Sequence, residues 1–120
     1  MTKQEQITQL LEALKRSLPE VREAMVASPD GLPIATLGSQ DTAARIAAMA
    51  ATALGLGRRI AQTTQLGGMK EVVVRGDQGY FVIYQTGDKG VLGVTVPADA
   101  NLGLLHLEAR EVARALADIL

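Results

Sequence analysis

The sequence predicts one α+β domain built around an antiparallel sheet. Hydrophobic residues recur with a helical period near both ends and in the middle of the chain, and short runs rich in β-branched residues lie between them. Turns of a few residues join these runs, which favours antiparallel pairing because a parallel pair needs a much longer crossover. The predicted order is helix, two strands, helix, three strands, helix (α-β-β-α-β-β-β-α), with residues 1–120 forming a single domain.

The first helix is predicted to follow Thr2-Lys3-Gln4-Glu5, a capping-box sequence, and to end before Pro19. Leucine and isoleucine recur at helical spacing between these two signals, so this helix has one apolar face. The next two apolar runs, Val21–Ser28 and Leu32–Leu37, predict a β-hairpin because Pro29-Asp30-Gly31 between them is a strong turn sequence.

A long helix rich in alanine is predicted from Thr42 to about Gln62, with its N-cap supplied by the strand-breaking segment Gly38–Asp41. After Leu66-Gly67-Gly68, turns that contain glycine and aspartate separate three further strands. These strands are predicted at Met69–Arg75, Gly79–Thr86 and Gly90–Val96. Asn101 is a suitable N-cap for the last helix.

Composition excludes several classes of function. Twelve basic and thirteen acidic residues give a net charge of −1 and a pI near 5.8, without the positive charge that nucleic-acid binding requires. The only aromatic residues, Tyr80, Phe81 and Tyr84, are too few for a base-stacking surface. The chain has no cysteine and one histidine, which excludes thiolate zinc sites and His/His metal sites. The longest apolar stretch, Ile46–Gly57, is too short to cross a bilayer, and we expect a cytoplasmic protein that does not insert into membranes.

No motif predicts catalysis, a cofactor or a metal. Gly55–Ala61 matches the Gly-x-Gly-x-x-Ala dinucleotide pattern, but it lies within a predicted helix instead of opening one after a strand. The chain contains no Gly-Lys-Ser/Thr sequence and is therefore not itself a P-loop GTPase. His106 lies among leucines of the last helix, where a partly buried or surface histidine is favoured over a catalytic base. We expect a protein that is not an enzyme.

The long helix is the most informative segment. Its polar residues form a stripe about 100° wide on a helical wheel, and most of the remaining circumference up to Gly57 is apolar; the stripe consists of Thr42, Arg45, Thr52, Arg59 and Thr63. One domain has too little material to cover both sides of such a helix, which predicts a two-fold homodimer in which two copies of the helix touch. Alternatively, alanine is abundant only because it has the highest helix propensity. That explanation does not account for Gly55 and Gly57, each of which disfavours a helix by about 1 kcal/mol relative to alanine. The residues predicted at the dimer interface are Ala43, Ala47, Ala50, Ala51, Leu54, Val72 and Val74.

The two valines belong to this set because their strand is a candidate edge strand. Met69–Arg75 follows a Gly-Gly break and has a β-branched centre, typical of a strand that pairs on both sides. In a homodimer its free edge would pair with the symmetry-related copy. An ordinary internal or edge strand of one protomer explains the sequence equally well.

Five segments carry a resemblance to a known family through their order and spacing. They are Met25–Ala35, Asp41–Ala61, Phe81–Tyr84, Gly90–Val94 and Ala98–Gly103. Together they resemble the roadblock/LC7 family in its compact bacterial form, the gliding-protein-B-like regulators of Ras-like small GTPases. The resemblance extends from about Ile7 to Leu120.

The resemblance implies a five-stranded antiparallel sheet in profilin-like layers, with the middle helix on one face and the terminal helices on the other. It implies dimers formed through the middle helix and an edge strand, and a Ras-like small GTPase docked on the face that bears the paired helices. On this chain the polar stripe of the middle helix becomes the partner-binding surface; its residues are Arg45, Thr52, Arg59 and Thr63.

Three functions are therefore open. The first is a non-enzymatic homodimeric regulator or scaffold that binds a Ras-like small GTPase and modulates its GTP hydrolysis. The second is a structural adaptor in a multiprotein assembly, without effect on nucleotide turnover. The third is a small-molecule sensor or enzyme that uses a pocket between sheet and helix.

Overall fold

The structure is a computed structural model that describes residues 1–120, and it contains three helices and five strands in the predicted order. The elements are α1 (Lys3–Ser17), β1 (Glu23–Ala27), β2 (Pro33–Leu37), α2 (Ala43–Thr63), β3 (Val72–Gly76), β4 (Gly79–Gln85), β5 (Val91–Pro97) and α3 (Leu102–Ile119). The strands form one antiparallel sheet in the order β2-β1-β5-β4-β3, so that β2 and β3 are its edges. The predicted fold class is confirmed.

The sheet separates two hydrophobic cores. The larger core lies between the sheet and the α1–α3 pair, and the smaller one lies between the sheet and α2. Alternate residues of a strand point to opposite faces. On β4, Val82 and Tyr84 therefore enter the larger core, while Phe81 and Ile83 pack against the α2 side. This is the predicted arrangement, with the middle helix on one face and the terminal helices on the other.

The N-termini of the helices differ in their capping. Thr2 caps α1 in a full capping box with Glu5, whose pKa is lowered by hydrogen bonds from the Thr2 backbone and side chain. Asn101 caps α3 by accepting a hydrogen bond from the Leu104 amide. The predicted N-cap of α2 within Gly38–Asp41 is wrong, because the N-cap position is Thr42 and its side chain makes no capping hydrogen bond.

The connection between α2 and β3 is longer than predicted. Gln65 and Gly67 adopt positive φ angles of 59° and 85°, which turn the chain after the helix. Met69 then packs against the α2 core, so pairing with β4 begins at Val72 instead of Met69. This connection places the start of β3 beneath the C-terminal half of α2.

Candidate partner-binding surface

The inward face of α2 is part of the protomer's own core. Ala47, Ala50 and Leu54 are 0%, 1% and 2% exposed, and they pack with Met25, Ile83 and other side chains of the sheet. Small side chains do allow a close approach, but the approach is between the helix and its own sheet. These three residues therefore leave almost no surface for a second copy to contact, and their assignment to the dimer interface stays a prediction.

The other predicted interface residues are accessible to different degrees. Ala43 is half-buried on the inward face at the start of α2, and Ala51 is half-buried at the side of the helix, where it packs against the core. Val72 is also half-buried against that core, whereas Val74 is 53% exposed. Val74 remains a prediction for an intermolecular contact.

The outward face of α2 carries three large apolar side chains that nothing in the protomer covers. Met49, Leu56 and Ile60 are 59%, 55% and 59% exposed. Their spacing of seven and four residues places them on one side of the helix, and we call them the apolar strip. The predicted stripe, here the polar strip, is also exposed; it consists of Arg45, Thr52, Arg59 and Thr63.

The two strips lie side by side and face different parts of the domain. At about 100° per residue, the polar strip spans roughly 40° of the helix and the apolar strip the next 40°. Gly57, beyond the apolar strip, lies directly over the side chains of Met69 and Val72, and Ala48, beyond the polar strip, lies against the β1–β2 turn at Gly31. The apolar strip therefore borders β3, and the polar strip borders the β1–β2 turn.

The sequence predicts excess apolar surface on α2 and assigns it chiefly to small residues, whereas the large exposed apolar side chains of the helix are Met49, Leu56 and Ile60. Alanine is predicted at the interface because its small side chain permits close approach of two helices. The available signal was the size of Met49, Leu56 and Ile60, since exposed large apolar residues cost more solvation free energy than exposed alanine.

The two edges of the sheet differ in how their backbone groups are satisfied. Along β2, the Gln4 side-chain amide donates to the Ile34 carbonyl at 2.7 Å and the Gln40 amide donates to the Thr36 carbonyl at 3.4 Å. Along β3, the outer backbone groups have no hydrogen-bond partner, and Val74 lies on the α2 side, opposite Phe81 of β4. The unprotected edge is therefore the one beside the apolar strip.

A polar cluster ties the start of β3 to α3 on the opposite face. Arg110 donates to the Glu71 carboxylate at 2.6 Å, and His106 Nδ1 lies 3.9 Å from the same carboxylate oxygen. Tyr84 is 1% exposed, and its hydroxyl lies 2.7 Å from His106 Nδ1. Burial, and secondarily the charge of Glu71, raise the pKa of Tyr84, and its hydroxyl shares a hydrogen bond with His106 Nδ1. The single histidine thus has a structural partner.

The dinucleotide-like motif, the acidic and histidine side chains, and the helices can each be compared with the sequence analysis. Gly55–Ala61 lies wholly inside α2, where its amides bond to the preceding turn of the helix instead of facing a phosphate. No group of three or more histidine, aspartate or glutamate side chains converges in a way that could hold a metal ion. No helix has both the length and the hydrophobicity required to traverse a lipid bilayer.

Comparison with known proteins identifies relatives of most of the chain. The model of the Roadblock/LC7 domain matches residues 7–95. The uncharacterized protein MJ0714 of Methanocaldococcus jannaschii is 32% identical over 94 residues, which are 78% of this chain and 79% of that protein.

Solved structures agree with this match at the level of the fold. A structure described as MglB with tetrameric arrangement superposes with a TM-score of 0.87 at 20% identity, covering 99% of this chain and 90% of that one. The gliding protein MglB of Thermus thermophilus superposes with a TM-score of 0.86 at 19% identity, covering 99% and 91%. Because the family model matches about three quarters of the residues, the chain belongs to the Roadblock/LC7 domain family.

Proposed function

We propose that this protein is a cytoplasmic, non-enzymatic homodimeric regulator that binds a Ras-like small GTPase on the α2 side and modulates its GTP hydrolysis. The observation that supports it most is the pairing of an open sheet edge with an uncovered apolar strip on the same side of the molecule. A solved structure of the similar protein MglB is described as tetrameric, which favours self-association for this fold.

The dimer is proposed to form through β3 and the apolar strip together. Antiparallel pairing of β3 with a second β3 would satisfy the outer backbone groups of both strands and extend the sheet across the two-fold axis. The same approach would bring Met49, Leu56 and Ile60 against their symmetry-related copies, since this strip borders β3. A single two-fold contact would therefore cover both the open edge of β3 and the apolar strip.

The polar strip is proposed to stay accessible in that dimer. It lies on the side of α2 that faces the β1–β2 turn, away from the open edge. Two copies would present two such strips on one face, each containing two arginines and two threonines. Residues Arg45, Thr52, Arg59 and Thr63 are therefore the proposed contacts for the GTPase.

The test is binding of the purified protein to the small Ras-like GTPases of its source organism, each loaded with GDP or a non-hydrolysable GTP analogue. We expect one GTPase to bind with a clear preference for one nucleotide state. Hydrolysis of GTP is then measured with and without the protein, and we expect the rate to change. An unchanged rate with intact binding would favour the structural adaptor, and no binding in either state would refute the proposal.

A further inference from the structure

Basic residues are segregated in the α2 layer of the molecule. Residues 42–70 contain four basic side chains and no acidic one, whereas the other 91 residues contain eight basic and thirteen acidic side chains. The net charge of −1 therefore combines a basic α2 layer with an acidic remainder. The basic residues of the layer are Arg45, Arg58, Arg59 and Lys70.

These four cations are not used within the protomer. All four are exposed, and none forms an ion pair or a side-chain hydrogen bond. On the opposite face, by contrast, Arg110 pairs with Glu71 and Arg114 pairs with Glu111. A free guanidinium presents five donors whose geometry suits a carboxylate.

Acidic residues border this layer without neutralising it. Asp41 precedes α2, and the carboxylate of Asp30 in the β1–β2 turn already accepts a hydrogen bond from Ser28. Asp88 lines the same cleft as Arg58, about 380 Å³ in volume, without forming an ion pair with it. Arg45 and Arg59 lie on the exposed polar strip, and they are therefore the cations of this layer that an approaching partner would contact first.

We propose that the polar strip binds an acidic protein surface, with Arg45 and Arg59 as its charged anchors. They are fourteen residues apart on one helix, or about 21 Å, and the proposed dimer carries two such pairs on one face. The complementary charge accelerates association and selects among GTPases by the charge of their surfaces. The identity of the partner rests on the proposed function, whereas its acidity rests on the charges described above.

The spacing of the cations favours a protein over a lipid or nucleic-acid surface. Binding to anionic lipid typically uses four to eight clustered lysines or arginines, and only Arg58 and Arg59 are adjacent here. Nucleic-acid binding requires a more basic domain than one with a pI near 5.8. Widely spaced arginines with threonines between them suit a folded partner with carboxylates at matching distances.

The first experiment measures the association rate with the GTPases at low and high salt. Raising NaCl from about 0.05 M to 0.5 M should lower this rate at least about tenfold. The double variant Arg45→Glu/Arg59→Glu should lower it about tenfold at low salt. Arg16→Glu/Arg22→Glu, which changes the net charge equally at exposed positions outside the α2 layer, should leave it within about twofold.

A conservative pair, Arg45→Lys/Arg59→Lys, keeps the charge and should retain most of the rate. Circular dichroism and sedimentation establish that each variant is folded and assembled like the parent protein. If a GTPase binds the charge-reversed variant at the parental rate, the acidic-partner inference is overturned while the proposed function stands.

A second probe keeps the inference testable if no GTPase binds. Poly-L-glutamate should bind the parent protein at low salt, and it should bind the charge-reversed variant at least about tenfold more weakly than the Arg16/Arg22 control. Equal binding to both variants would overturn the inference. Tighter binding of phosphatidylserine vesicles or duplex DNA than of poly-L-glutamate would also overturn it, since the strip would then recognise another class of surface.

Discussion

Tyr84 is the one aromatic residue that the fold buries completely, and its hydroxyl finds a partner in His106. The strand alternation predicts that Tyr80, Val82 and Tyr84 share one face of the sheet, but it does not predict the partner of the Tyr84 hydroxyl. That contact joins β4 to α3 across a gap of 22 residues. It depends on the exact placement of α3 over the sheet, which no local pattern encodes.

Replacing Tyr84 by phenylalanine should lower the free energy of unfolding by about 1 kcal/mol, because one hydrogen bond is lost. The raised pKa of Tyr84 adds a pH dependence. The contribution of Tyr84 to the free energy of unfolding is complete below its unfolded pKa of about 10, and it is lost as the pH rises through its pKa in the folded protein. Urea unfolding at increasing alkaline pH should therefore show a steeper loss of stability in the parent protein than in Tyr84→Phe.

Tyr80→Phe is the matched control, because the Tyr80 hydroxyl makes no hydrogen bond within the protein. It should change the free energy of unfolding by less than Tyr84→Phe does. Equal losses in both variants would contradict a specific role for the bond between Tyr84 and His106.

Gly55 and Gly57 look equivalent in the sequence, but they have different surroundings. A Cβ added at Gly55 would meet no atom within 4 Å, whereas one at Gly57 would lie 2.7 Å from Val72 Cγ2 and 2.8 Å from Met69 Sδ. Gly55→Ala should therefore stabilise the protein by up to about 1 kcal/mol through helix propensity. Gly57→Ala should destabilise it by about 1 kcal/mol, because the stiff Val72 must move.

Thermal and urea unfolding of the two glycine variants, at equal protein concentration, measures this difference. The order of stability should be Gly55→Ala, parent, Gly57→Ala. A reversed order of the two variants would mean that the α2–β3 packing is looser than described.

At the scale of elements, the two edge strands show how strands of equal length acquire different roles. Both β2 and β3 are five residues long and lie at the edge of the sheet. Side chains occupy two carbonyls of β2: Gln4 reaches Ile34 from α1, thirty residues away, and Gln40 folds back onto Thr36 from the segment that follows the strand. No pattern within either strand distinguishes the protected edge from the open one.

Placing a lysine at the open edge should weaken dimerisation. Val74→Lys would require desolvation of a charge against the second β3, so we expect the dimer dissociation constant to rise at least about tenfold. Leu32→Lys, at a comparably exposed apolar residue in the β1–β2 turn, is the control and should leave the dissociation constant unchanged. Sedimentation equilibrium measures both constants, and an effect of Leu32→Lys alone would place the interface elsewhere.

The two faces of α2 should respond differently to charge. Ile60→Glu, on the outward face, should produce a folded monomer. Ala47→Glu, on the inward face, should instead destabilise the protomer by several kcal/mol, because a carboxylate replaces a methyl group that is 0% exposed. Circular dichroism and sedimentation of both variants separate the outcomes. A folded dimer of Ile60→Glu would contradict the role given to the apolar strip.

At the scale of the whole molecule, dimerisation should contribute to stability. If the native state is a dimer and the unfolded state a monomer, mass action makes the midpoint of thermal unfolding rise with protein concentration. We expect a rise of several degrees over a hundredfold range of concentration. Calorimetry at several protein concentrations measures this rise. A constant midpoint together with a monomeric mass would contradict the proposed dimer and its paired polar strips.

Those features of the protein that depend on local interactions follow from the sequence alone. The order of elements, the antiparallel pairing within β1–β2 and within β3–β4–β5, and the Thr2 and Asn101 caps follow from periodicity, turn residues and short-range hydrogen bonds, all of which involve neighbours along the chain. The excess of apolar surface on α2 also follows from composition. These features need no knowledge of which element packs against which.

Tertiary structure alone decided which surfaces are free. Ala47 and Met49 are two residues apart on the same helix, yet the sheet covers the first and leaves the second 59% exposed. Likewise, Gln4 protects the β2 edge from α1, thirty residues away in the chain, whereas no other element reaches the outer edge of β3. Exposure depends on contacts between distant segments, and a helical wheel shows the relative directions of side chains without showing where the sheet lies.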